Sequence, residues 1–224
     1  MKNNLKKNIL TTLFVSSLSF SAVAADFGVE LMWNTSDANQ VLDSMADQRA
    51  AFGELIKSGE VKDMFVFNSS IEGKPMALIR FVIDGEDQAD VENKLKDLPL
   101  YKKELVKVSH VQPLGNKWLD NTPAMQNYGV TFTWREDIDA LEMDRVLGID
   151  LQRVISLNQA GLVTSSYLNT QKLANGIERP VYHVAFLAKD AAHARELSKQ
   201  FEAVNLGYAN VDVQYLGHKV QLVK

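Results

Sequence analysis

An internal duplication constrains this chain more than any other feature of its sequence. Phe27-Gly28-Val29-Glu30-Leu31-Met32-Trp33 returns 101 positions later as Tyr128-Gly129-Val130-Thr131-Phe132-Thr133-Trp134, with the aromatic, Gly, Val and Trp in the same places. Val111-Gln112-Pro113-Leu114-Gly115-Asn116-Lys117 returns 102 positions later as Val213-Gln214-Tyr215-Leu216-Gly217-His218-Lys219. Between these ends Gly59 matches Gly161, Asn68 matches Asn169, and Pro75 with Phe81 matches Pro180 with Phe186. A collinear repeat of this kind means two copies of one supersecondary unit, each offering its twin a surface to bury. The expected boundaries are residues 26–115 and 128–224, with a linker over 116–127 that carries Pro123.

Within each copy the apolar spacing predicts strand, helix, strand, strand, helix, strand. Phe27 to Trp33 alternates as a strand, and Ser36 or Asp37 can cap a helix with Val41, Leu42, Met45, Phe52, Leu55 and Ile56 on its apolar face. Gly59 ends that helix, and Val61–Asn68 with Met76–Ile83 form a hairpin around Glu72-Gly73. Asp87 caps a second short helix, and Glu104–Leu114 is the closing strand. The second copy places helices near 138–160 and 191–204. The order βαββαβ is the split-βαβ motif, an antiparallel sheet with helices on one face. The expected fold is therefore α+β, two tandem ferredoxin-like units pairing their sheets into an intrachain α/β barrel.

The N-terminus reads as an address. Lys2, Lys6 and Lys7 precede an apolar, Ser-rich stretch from Ile9 to Val23 that ends in Ala22-Val23-Ala24-Ala25, the pattern of a secretory signal cleaved after Ala24 or Ala25. Export to the periplasm or beyond follows, without stable membrane insertion after cleavage. Removing residues 1–25 takes away three lysines and no acid, which leaves 21 basic against 28 acidic side chains and a net charge of −7. An acidic chain without a basic stripe is a poor nucleic-acid binder, because backbone binding needs clustered cations. With no cysteine, disulfides, zinc-thiolate sites, iron–sulfur clusters, thiol nucleophiles and lipid-anchored cysteines are all excluded.

Leu98-Pro99-Leu100-Tyr101, followed by Val108, Val111 and Pro113-Leu114, resembles the end of muconolactone isomerase-like domains, where a Leu-Pro-Leu-aromatic run precedes the closing strand. Ser58-Gly59-Glu60 entering the second strand is similar too. The resemblance covers residues 27–115; the second copy has Val204-Asn205-Leu206-Gly207 where the proline motif is expected. It implies the dimeric α/β-barrel superfamily, whose members pair two ferredoxin-like sheets and include isomerases, monooxygenases and haem proteins. This chain departs from the isomerase in being fused and exported, and no catalytic residue is carried over from it.

Strand alternation says which side chains would face a barrel interior, since the helix-covered face should be uniformly apolar. Phe27, Val29, Leu31 and Trp33, with Tyr128, Val130, Phe132 and Trp134, make the apolar set of the first strands. Glu30, Arg80, His110, His183 and Asp212 then gather inside, with Gln112 and Gln214 beside them. Buried charges are costly unless paired or useful. One outcome is a polar ligand site, with Arg80 holding a carboxylate and His110, His183 or Glu30 moving a proton. The other is a satisfied ion-pair network between the sheets. A bulge in an edge strand would exchange the faces. Trp33 and Trp134 either stack on a ligand at the barrel mouth or pack symmetrically in the core.

His193 and Glu196 lie in a helical first turn that suits solvent better than a metal, and no metal site is expected. Patterns for serine hydrolases, phosphate loops, dinucleotide sites and zincins are absent. Three classes remain: a cofactor-independent isomerase, lyase or oxygenase acting on a small carboxylated or aromatic compound; a non-catalytic periplasmic binding protein; and, less favoured, haem binding through His110 or His183. A homo-oligomer is compatible with each.

Overall fold

The computed structural model describes residues 25–121 and 125–222. Residues 1–24, which hold nearly all of the expected signal over 1–25, and Pro123 lie outside the described residues.

The chain runs β1 (Ala25–Trp33), α1 (Ala38–Lys57), β2 (Val61–Ile71), β3 (Lys74–Gly85), α2 (Gln88–Leu95), α3 (Pro99–Lys102) and β4 (Val106–Asp120). The same order then recurs as β5 (Gln126–Trp134), α4 (Ala140–Gln159), β6 (Val163–Lys172), β7 (Glu178–Leu187), α5 (Ala191–Ser198), α6 (Glu202–Asn205) and β8 (Ala209–Lys219). All eight strands close into one antiparallel barrel in the order β1-β3-β2-β8-β5-β7-β6-β4. The class is α+β.

Local chemistry fixes the element ends. The Asp37 carboxylate accepts hydrogen bonds from the Asn39 and Gln40 amides and starts α1; Asp87 and Asp139 do the same for α2 and α4. Gly59 stops α1 in the left-handed conformation at φ +80°. Glu72 and Gly73, both at positive φ, make the two-residue turn between β2 and β3.

Side chains from one strand face meet the helices. Phe27, Val29 and Leu31 pack with Val41 and Phe52 of α1 and with Val91 and Leu95 of α2, and Val130 and Phe132 pack with Val154, Leu157 and Leu197. Ser44 and Gln48 are buried on α1, whereas Leu42, expected on its apolar face, is 56% exposed. Gln48 earns its burial by accepting a hydrogen bond from the Leu100 amide at 3.0 Å, which starts α3. Asp150 plays that part in the second half, accepting from the Glu202 and Ala203 amides at 2.6 and 3.1 Å. The counterpart of the Leu98-Pro99-Leu100 run is thus the turn entering α6 at Phe201, three residues before Val204.

Two further expectations shift. Residues 116–120, assigned to a linker, continue β4 and pair with β6 from Asn116↔Leu168 to Asp120↔Ser165. Phe186 lies opposite Tyr128, as Ile83 lies opposite Phe27, so Phe81 corresponds to Val184 rather than to Phe186. The longer turn between β6 and β7 offsets the two copies there.

The halves join at two seams, β4–β6 and β2–β8, and a glycine stands at each. Gly115 (φ +80°) and Gly217 (φ +107°) follow bulges at Leu114 and Leu216. A methyl group on Gly115 would lie 1.6 Å from the Leu168 carbonyl oxygen, and one on Gly217 would lie 2.4 Å from that of Val66.

Two residues past each glycine stands a lysine; both reach Asp63, Lys117 from within the first half and Lys219 across the seam from the second. The Lys117 ammonium donates to Asp63 (3.0 Å), Asp120 (2.8 Å) and the Lys62 carbonyl (3.0 Å). Lys219 reaches Asp63 (3.0 Å), Asp120 (2.7 Å) and the Thr164 carbonyl (2.7 Å), and Tyr167 donates its hydroxyl to the other oxygen of Asp63. Burial disfavours the charge on Lys117, but Asp63 and Asp120 outweigh it and raise its pKa; burial likewise opposes Asp120, and the two lysines outweigh it and lower its pKa. The stabilisation from Lys117 is lost only as pH rises past the ordinary lysine range, and that from Asp120 only as pH falls below the ordinary carboxylate range.

Gly115→Ala and Gly217→Ala should each destabilise the protein by more than the roughly 1–2 kcal/mol of the left-handed conformation alone, whereas Gly148→Ala, in open space inside α4, should stabilise it by about 0.5–1 kcal/mol. Lys219→Met, which leaves Asp63 short of a cation, should cost about 3–5 kcal/mol. Urea unfolding of the four variants checks both expectations.

Candidate functional site

The barrel interior holds a cavity of about 90 Å³. Its floor is built by the repeated glycines: Leu114 and Leu216 fold over Gly28 and Gly129, where an added Cβ would stand 3.3 and 3.2 Å from the leucine methyls. Seven of the nine candidate residues line it, namely Glu30, Arg80, His110, Gln112, His183, Asp212 and Gln214. The bulge in β4 at Ser109 lies beyond these positions, so His110 and Gln112 keep the inward face.

Strand register sets the residues in pairs. Arg80 and His110 flank Glu30 on neighbouring strands, and His183 and Asp212 flank Thr131 at the matching place in the other half. The glutamines cross between halves: Gln214 donates to the Glu30 carboxylate at 3.1 Å, and the Gln112 amide lies 3.4 Å from the Thr131 hydroxyl.

The two sides differ in charge. Glu30 accepts from the Arg80 Nε at 2.8 Å and from Nη2, and the guanidinium lies 4.1 Å above the Phe67 ring. In the other half His183 places Nδ1 3.2 Å from the Thr131 hydroxyl. Burial alone pushes the His183 pKa down to about 4, so the ring is neutral near pH 7. Three buried atoms on cavity-lining residues have no hydrogen-bond partner: Arg80 Nη1, His183 Nε2 and Ser165 Oγ. A buried donor or acceptor without a partner is costly, and a ligand that supplies one recovers that cost.

His110 and Asp212 are exposed at the rim. The tryptophans do not line the cavity. Trp134 is buried in a cluster with Met143 and Val146 and donates to the Pro180 carbonyl at 2.8 Å, so it packs. Trp33 donates to the Ser69 hydroxyl at 3.2 Å and lines an outer cleft instead. His193 closes the first turn of α5, and no cluster of three or more metal-ligating side chains occurs among the described residues. No described helix is long and apolar enough to cross a membrane. Sequence reasoning missed Thr131 as a partner of both His183 and Gln112, and missed Ser165 and Tyr167 on β6. The signal for Thr131 was available, since it matches Glu30 in the repeat.

No known family pattern matches the chain, and no curated protein does. Solved structures match its fold. A mutant chlorite dismutase from Candidatus Nitrospira defluvii superposes with a TM-score of 0.52 at 8% identity, over 88% of this chain and 91% of that one. A haem-binding protein from Thermus thermophilus superposes at 0.53 with 12% identity, over 89% and 92%. At these identities the likeness is one of fold: the chain has the barrel architecture of the chlorite dismutase-like proteins.

Haem does not fit this cavity. His183 Nε2 is a suitable axial donor, but pockets that enclose even drug-sized ligands run to roughly 300–1,000 Å³. Here the space is about 90 Å³, and Glu30, Arg80 and the two glutamines converge on it.

Below pH 6.5 the unfolded chain protonates His183, while the folded chain does so only near 4. The stability tied to the neutral ring is therefore complete above 6.5 and lost as pH falls toward 4, on the order of 3 kcal/mol. In His183→Gln, the fall in unfolding free energy between pH 7 and 4.5 should be smaller than in the parent by about 2–3 kcal/mol; equal falls would show a solvated ring.

Proposed function

We propose that this is an exported protein, two tandem ferredoxin-like units whose shared interior binds a small carboxylated molecule. The observation that carries the reading is that Arg80 Nη1 and His183 Nε2, from opposite halves of the chain, are both buried, unpartnered and on the lining of one cavity. Glu30 already occupies the Nε and Nη2 side of Arg80. A ligand carboxylate therefore meets one remaining guanidinium nitrogen, His183 and the glutamine carboxamides rather than a free fork. The neutral His183 can supply either a donor or an acceptor at Nε2: a donor when Nδ1 accepts from the Thr131 hydroxyl, an acceptor when Nδ1 donates to it.

A second reading rests on the same ring. An imidazole held neutral beside a bound acid can accept a proton, which is what a muconolactone isomerase-like activity would ask of it. Of the three candidate proton carriers, Glu30 is engaged by Arg80 and Gln214, and His110 faces solvent, which leaves His183 as the best placed.

Calorimetric titration with acetate tests the binding reading. Acetate should bind the parent, and Arg80→Gln should weaken it about tenfold or more, the worth of one charge-assisted hydrogen bond. Unchanged affinity in the variant would overturn the site. A Soret band on titration with haemin, lost in His183→Ala, would overturn the ligand class in favour of haem.

A further inference from the structure

Ser165 adds a third unpartnered atom to the cavity. It is fully buried, it lines the cavity, and its hydroxyl has no hydrogen-bond partner. Strand register sets it deeper than Arg80 and His183. Ser165 lies opposite Ala185, which lies opposite Gly129, whereas His183, two residues back along β7, lies opposite Tyr167 and Thr131. That step along the strand is about 7 Å, toward the leucine floor. The surroundings there are largely apolar, with Val82 and Ala185 beside Gly28 and Gly129, and Leu114 and Leu216 folded over the glycines. Gln112 and Gln214, at the same depth, turn their amides to Thr131 and Glu30. One end of the cavity therefore offers Arg80 Nη1 and His183 Nε2, and the other offers a single hydroxyl among apolar walls.

We infer that the ligand is a short 2-hydroxy acid, with its carboxylate at Arg80 Nη1 and His183 Nε2 and its hydroxyl at Ser165 Oγ. The inference rests on the carboxylate-binding reading and adds the hydroxyl. Size limits the chain: a cavity of about 150 Å³ takes one benzene molecule, and the space here is about 90 Å³, which puts the second oxygen on the carbon next to the carboxylate. An unsubstituted acid of the same length would seal Ser165 against a methyl group and leave a buried hydroxyl without a partner. A dicarboxylate would fill the same depth, but its second charge would stand against Val82, Leu114 and Leu216 rather than against a cation. A neutral hydroxyl carries no such penalty. It both donates and accepts, so it pairs with the serine hydroxyl in either direction. Ser166, also unpartnered, lies opposite Val184 of the helix-side core and does not line the cavity, which makes it the internal control.

Glycolate and propionate are matched in heavy atoms and differ in a hydroxyl against a methyl group on the carbon next to the carboxylate. Calorimetric titration of the full chain compares them. The parent should bind glycolate about fivefold or more tighter than propionate. Ser165→Ala removes an unpartnered hydroxyl, so it should fold as well as the parent, and it should abolish the preference. Ser166→Ala should keep it. Equal affinities in the parent, or a preference for propionate, would overturn the hydroxy-acid assignment while leaving the carboxylate site standing, and that comparison needs no variant. A glycolate preference that survives Ser165→Ala, or that Ser166→Ala also removes, would overturn it as well, since Ser165 would then not be what holds the hydroxyl. Binding of acetate with failure of both longer acids would overturn it too. Failure of all three acids would remove the carboxylate reading itself.

Discussion

Lys117 and Lys219 stand at equivalent places in the two halves and both reach Asp63, so one buried carboxylate takes a positive charge from each seam of the barrel. Asp120 balances the second charge, and Tyr167 satisfies the remaining oxygen of Asp63. Such a cluster is not by itself a source of net stability, because desolvation offsets most of the attraction. It acts as a lock between the halves: parting β8 from β2 takes Lys219 away from Asp63 and Asp120, and drawing β6 away from the first half takes the Tyr167 hydroxyl from Asp63. Gly115 and Gly217 make the lock reachable, since only a backbone without Cβ can come so close to the facing strand. Closure of the barrel, and with it the cavity, depends on this crossing.

The cavity shows what duplication can do when the copies diverge. Equivalent places hold Glu30 and Thr131, Arg80 and His183, His110 and Asp212, but Gln112 and Gln214 are the same in both. The constant glutamines tie the halves across the interior, while the varied positions put an ion pair on one side and a neutral imidazole on the other. A symmetric site would carry two arginines or two histidines facing each other. The asymmetry supplies one charged and one uncharged group to the same small space. The outer cleft belongs to the first half alone.

Much of the site was legible because strand alternation is a local rule. Val29 and Leu31 had to meet a helix, so Glu30 between them had to face the other way, and the same step placed Arg80, His183 and Asp212. What escaped depended on a partner strand. Residues 116–120 lie in the stretch that Pro123 marked as a linker; they form a strand because β6 supplies the hydrogen bonds and Asp63 the counter-charge. The displaced match of Phe81 with Phe186 followed from a turn whose length changes the register. Trp134 was placed correctly by alternation and wrongly by the attraction of an aromatic ring to a ligand.

The sequence by itself determined the repeat, the βαββαβ order of the longer elements in each copy, a cap at Ser36 or Asp37 and another at Asp87, and the inward face of Glu30, Arg80 and His183, because all of these follow from spacing along a few residues. Only the tertiary structure decided that the two sets of strands join edge to edge, that Arg80 is already paired with Glu30, and that the His183 ring is neutral. Those facts depend on distances between segments far apart in the chain and on the exclusion of water from the space they enclose, and neither is a property of any local stretch of sequence.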